Sequence, residues 1–137
     1  MPADDYSTSQ HLIIVQGVIN RLENIPISLK GISATITAGA IALLGAMDNP
    51  SFVIFFAGAI PIFMFFLLDT VYLQLGRMYR KLYDSIRAGE TEKDYTLDAS
   101  PFKKDVDSLF DTAISWSVWM FYFANLLALF LITAYVT

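Results

Sequence analysis

Residues 52–87 read FVIFFAGAIPIFMFFLLDTVYLQLGRMYRKLYDSIR. The first part, through Leu73, is apolar. A bilayer core of about 30 Å takes roughly 20 residues of helix, so this part is long enough to span. The second part carries Arg77, Arg80, Lys81 and Arg87, which are too costly for hydrocarbon. No turn signal separates the two. The stretch therefore predicts one long helix that leaves the membrane and continues into the cytoplasm as an amphipathic basic extension.

The bulk composition agrees. Of 137 residues, 55% are hydrophobic and only 16% charged, well under the share usual in soluble domains. Mean hydropathy is +0.53. The length has room for a single membrane domain, residues 1–137. A net charge of -4 decides little, because the charges are unevenly placed. The absence of Cys removes disulfides, thiol nucleophiles and thiolate metal sites. The opening MPADDYSTSQ lacks the basic and apolar regions of a cleavable signal, so the first span is expected to direct insertion.

Outward from the long helix, the expected class is an all-α integral membrane fold. Residues 1–9 read as a short disordered lead. Residues 10–24 predict an amphipathic helix with Ile14, Val18 and Leu22 in line and Leu12, Val15 and Ile19 beside them. Asn24 and Pro26 predict a break. Residues 27–47 form the first span, unusually rich in Gly, Ala, Ser and Thr, which suits close helix packing. Its Ser33, Thr35 and Thr37 are the candidate pore-lining residues. A polar turn at 48–51 leads to the second span with its extension, 52–88. Pro61 in mid-span is a candidate hinge, and Asp69 is placed to pair with Lys30 or with a basic residue one turn below. Residues 89–101 read as an acidic loop. Residues 102–136 read as a helix entering the third span, with Trp116, Trp119 and Tyr122 near one interface and Tyr135 near the other. Asn125, near its middle, is expected to bond to another helix.

All nine basic residues precede the first span or lie between the second and third. The positive-inside rule then places the N-terminus in the cytoplasm and the C-terminus outside.

Catalytic signatures do not emerge. The sole histidine, His11, has no second His or Cys for a metal site, and no P-loop, G-x-S-x-G or H-E-x-x-H is present. Glu90, Glu92, Asp94 and Asp98 read as a solvated face. Neither an enzyme nor a cofactor nor a metal is expected. What remains is a basic surface: Arg77, Arg80, Lys81, Arg87, Lys103 and Lys104, chosen on charge and topology. On one subunit these would meet anionic headgroups. Repeated around an axis, they would suit a phosphate-rich ligand.

Two stretches carry a family resemblance: IVQGVINRLENIPISLKGISATITAGAIALL and FFLLDTVYLQLGRMYRKLYDSIR. The matching positions are Gln16, Gly17, Ile19, Asn20, Arg21, Lys30, Gly31, Leu68, Asp69, Tyr72, Leu73, Arg80, Leu82, Tyr83 and Asp84. They resemble small multi-span membrane effectors of bacterial anti-phage systems, most of all the channel subunit of the Hailong system. The resemblance covers about half the chain. It implies a homo-oligomeric ion channel, with four subunits favoured. Such a channel is held closed by single-stranded oligodeoxyadenylate from a partner nucleotidyltransferase and opens to depolarise the membrane. The alternative is a non-conducting membrane scaffold that recruits a cytosolic protein.

Overall fold

The structure, a computed structural model, describes residues 3–89 and 96–137, with side chains from residue 7 on. Two long antiparallel helices form its frame. Helix α1 is Ala3–Ala46, 44 residues, and α2 is Val53–Arg87, 35 residues. A 3-10 turn, Ser100–Asp105, and a short helix α3, Leu109–Ala113, lead to α4, Trp116–Val136. The described residues include three helices long and apolar enough to cross a membrane, at Ser7–Ala46, Val53–Arg87 and Trp116–Val136. The chain is all-helical over these regions and compatible with a multi-pass membrane protein.

The expected disordered lead is helical from Ala3, and the break at Asn24–Pro26 does not occur. The reason is the spacing of α1's inner seam. His11, Val15, Ile19, Leu22, Pro26, Lys30, Ser33, Thr37, Ile41 and Leu44 recur in steps of four, four and three, and all are buried or half-buried. An 11-residue repeat is close to the natural helical period, so one face stays aimed at α2 throughout. Pro26 still deprives the Leu22 carbonyl of its helical donor. Leu22 and Pro26 line a cleft together with Lys30, Arg77 and Arg80. The seam also corrects the expected apolar face: Val15 and Ile19 are buried, while Ile14 lies outside.

Two clusters bury the seam. Near the basic end, Val15 and Ile19 pack with Met78, Leu82 and Ile86. Toward the 47–52 turn, Leu44, Ile62, Val118, Tyr122 and Leu129 form the other cluster. At Gly58 of α2, side chains of both other long helices come close. A Cβ there would lie 2.8 Å from Leu129 Cδ2 and 3.5 Å from the Ala40 Cβ. Gly58→Val is therefore expected to destabilise by about 1–3 kcal/mol through overpacking. The check is the unfolding midpoint in mixed detergent, and Gly58→Val with Leu129→Ala should recover part of the loss. An unchanged midpoint would mean that α4 is not seated on α2 as described.

The helix expected over 102–136 is interrupted twice. Val106 is extended, and Ser108 and Ser115 are extended N-caps. Ser108 accepts the Asp111 N–H and donates to the Asp111 carboxylate, a cap that starts α3. Tertiary bonds hold the extended piece, as Gln74 donates to the Asp107 carbonyl at 3.0 Å. Before it, the exposed Asp98 carboxylate accepts the Ser100 hydroxyl and N–H, which hold it below its ordinary range. Of the loop expected at 89–101, residues 90–95, with Glu90, Glu92, Lys93 and Asp94, lie outside the described residues.

Trp116 and Tyr135 are exposed at opposite ends of α4, as an aromatic belt requires. Tyr122 does not join them; it is buried against Phe66, ring centroids 5.9 Å apart. Asn125 donates to the Phe121 carbonyl of its own helix at 2.9 Å instead of bridging helices.

Candidate functional site

Three features at the basic end and along α1 carry polar chemistry. The first is an ion pair. Lys30 of α1 donates to the Asp69 carboxylate of α2 at 2.7 Å, and Asp69 is only 1% exposed. Of the two pairings the sequence left open for Asp69, the one with Lys30 is found. Asp69 is buried because it falls on the face of α2 that meets α1. One turn along the seam, the Ser33 hydroxyl is buried without a hydrogen-bond partner among the described residues. The Tyr122 hydroxyl is buried beside the Asp69 carboxylate.

The second feature is the basic extension, and here the structure supplies carboxylates that the sequence did not associate with it. Arg77 pairs with Asp107 at 3.0 Å, Arg80 with Glu23, and Arg87 with Asp84 at 3.8 Å. A cleft of about 270 Å³ is lined by Arg77, Arg80, Lys81, Asp84, Asp105, Val106 and Asp107, three cations facing three carboxylates. An adjoining cleft of about 590 Å³ sets Lys81 and Arg87 against Asp84 and Asp105. Lys81, Lys103 and Lys104 are exposed and make no ion pair among the described residues. Of the six candidates, these three retain an uncompensated charge. Glu23 and Asp107 were missed because they are 57 and 30 residues from their partners, with no local pattern to link them.

These pairs are exposed, so their energetic weight is small. Arg80→Gln is expected to alter stability by less than about 1 kcal/mol, measured as the same unfolding midpoint. A larger loss would show that the α1–α2 clasp is a structural lock.

The third feature is the face of α1 opposite the seam. Ile13, Gly17, Asn20 and Asn24 and then, within the apolar run, Gly31, Thr35, Ala38, Ala42 and Gly45 lie along it, and all are exposed. The row contains no charge. A Cβ built on Gly17, Gly31 or Gly45 would meet nothing within 4 Å. Bulky exposed positions are more numerous on the other two long helices, with Phe56, Ile60, Phe63, Met64 and Leu67 on α2 and Phe123 and Leu131 on α4, although Ala57 and Ala124 are exposed there and Ile32 and Leu43 on α1.

This geometry separates the three pore-lining candidates. Ser33 and Thr37 belong to the inner seam, buried within the subunit, and Thr37 donates to the Ser33 carbonyl at 3.1 Å. Thr35 stands on the opposite, open face and donates to the Gly31 carbonyl at 2.9 Å. At about 100° per residue, position 35 points away from both neighbours in the set. One water path cannot be lined by all three on a single face. Pro61 is half-buried within a continuous α2.

No protein-family model, curated protein or solved structure matches this chain.

Proposed function

We propose that this chain is the subunit of an oligomeric pore, a membrane effector whose opening depolarises a bacterial inner membrane. The observation that carries the reading is the uncharged, small-residue face of α1 left open by the subunit's own helices. Bulky side chains suit lipid. A row of Gly, Ala and Thr suits close contact with another helix, or an aqueous path bordered by backbone carbonyls and the Thr35 hydroxyl. Three spans are too few to enclose a pore, so conduction requires copies arranged around an axis, with α1 of each copy facing inward or against its neighbour. The sequence resemblance to anti-phage channel subunits supports four copies and a nucleic-acid type of gating ligand, single-stranded oligodeoxyadenylate.

The ion pairs suggest how such a ligand would act. Lys81, Lys103 and Lys104 offer free charge for first contact. A polyanion that then takes Arg80 releases Glu23 of α1, and one that takes Arg77 releases Asp107 of the 106–108 segment. Ligand binding and helix arrangement would thus compete for the same guanidinium groups.

The test is ion flux from liposomes, with and without short oligodeoxyadenylate. Flux that the oligonucleotide blocks, and that Thr35→Leu suppresses more than Ser33→Ala, is the expected result. Folded, oligomeric protein that conducts in neither condition would sink the pore. The scaffold would then be favoured. Ile13 and Ile14, 63% and 52% exposed on the part of α1 beyond the span, would be its contact point.

A further inference from the structure

The three spans end at one cleft. Counting roughly 20 residues, the thickness of a hydrocarbon core, inward from Ala46, Val53 and Val136 reaches Ile27, Leu73 and Ser117. All three line the same cavity of about 220 Å³ between α1, α2 and the start of α4. The cavity is more enclosed than the clefts of the extension beside it. It therefore sits where hydrocarbon gives way to headgroups.

Its chemistry is divided. Ile27, Leu73 and Pro26 supply an apolar wall, while Lys30, Arg77 and Arg80 converge from two helices. Glu23 and Asp69 also line it, and Asp107 reaches Arg77 from beside it, so each of the three cations has one carboxylate partner. The cations are not saturated. Lys30 has three N–H groups and gives one to Asp69. Arg77 and Arg80 have five each and give one to Asp107 and one to Glu23. Spare charged donors beside an apolar wall at this depth call for an anionic acceptor attached to something apolar.

We propose that this cleft binds the phosphate of a membrane phospholipid, Lys30, Arg77 and Arg80 donating to the phosphate oxygens and Ile27 and Leu73 contacting the first acyl carbons. The cavity is smaller than the roughly 300 Å³ at which pockets for drug-sized ligands begin, which suits a headgroup better than a nucleotide. The assignment rests on the membrane-spanning reading of the three helices and not on conduction. Bound there, a phospholipid would contact α1, α2 and α4 together, and would engage the guanidinium groups of the Glu23 and Asp107 pairs.

The experiment uses the full chain purified in a phosphorus-free alkyl glycoside and washed until bulk phospholipid is gone. Phosphate analysis and native mass spectrometry then measure what stays bound. Tightly held phospholipid is expected, and Arg77→Gln with Arg80→Gln should lower its retention about tenfold, the worth of a charge-assisted hydrogen bond. Both arginines lie on the extension, so the variant should keep its helical circular dichroism. Lys103→Gln with Lys104→Gln should retain lipid as before. Wild-type protein that holds no phospholipid and shows no saturable uptake from phosphatidylglycerol micelles would overturn the proposal, as would equal retention by the arginine variant. Displacement of the lipid by inorganic phosphate or short oligodeoxyadenylate at constant ionic strength would overturn the lipid assignment in favour of a soluble phosphate. Because lipid is measured directly, failure of the pore reading would leave this result untouched.

Discussion

Lys30→Met is expected to destabilise the fold by about 3–5 kcal/mol, because it leaves the Asp69 carboxylate buried without its cation. Asp69 is 1% exposed and Lys30 26%, so the two halves of the pair are unequal. Removing Asp69 should cost less than removing Lys30, since a released lysine can turn its ammonium toward the membrane boundary. Asp69→Leu is thus expected to be the milder single change. Lys30→Met with Asp69→Leu should recover most of the loss, since replacing both partners by apolar groups leaves no charge in hydrocarbon. The measurement is a double-mutant cycle on the folded fraction against rising sodium dodecyl sulfate. Two small and equal single effects would mean that the pair is hydrated from the cleft beside it. The cycle also bears on the lipid site, because the double variant removes one of the three cations proposed to hold the phosphate.

The second large effect is expected on the open face of α1. Ala38→Phe places a bulky ring in the middle of the small-residue row, where the subunit itself has nothing to clash with. The monomer's helicity and unfolding midpoint should therefore stay the same. Assembly should not. An overpacked contact of about 1–3 kcal/mol weakens association by roughly 5- to 150-fold at each interface. The expected outcome is a shift from oligomer to monomer by size-exclusion chromatography with light scattering, and loss of flux from liposomes. Phe63→Leu on the bulky face of α2 serves as the control and should change neither. An Ala38→Phe protein that remains oligomeric and conducts would show that this face meets lipid, and the proposed arrangement of α1 would fall.

Much of the architecture was legible in linear order. The 52–87 stretch declared a helix longer than a membrane because apolar and basic runs follow each other with no turn residue between them. The three spans, the polar turn near 48–51 and the Lys30–Asp69 pairing follow from the same local signals: run length, Pro and Gly placement, and a charge isolated at the edge of an apolar segment. The breaks near Ser108 and Ser115 were missed. A serine cap and an extended residue compete there with helical propensity, and bonds from Gln74 and Arg77 on another helix decide the contest.

Pro26 shows the limit most clearly. Locally it reads as a helix terminus, yet α1 passes through it because the four-four-three seam keeps packing on α2 on both sides. The continuity of that helix is a property of the interface and not of residues 24–28. The candidate sites divide in the same way. Residue types and their charges were visible, so the basic residues of the extension could be named from sequence. Asp84, three residues from Arg87 on the same helix, was within reach of a local pattern, whereas Glu23 and Asp107 come from α1 and the 106–108 segment and only tertiary packing brings them to Arg80 and Arg77. Ser33, Thr35 and Thr37 are equivalent as letters. Only the position of α2 beside α1 makes two of them interior and leaves the third facing outward. Composition thus settles how many apolar runs are long enough to cross a membrane, and not where each helix begins, breaks or runs on. Which face of each is covered depends on which helix lies beside it, and tertiary packing alone decides that.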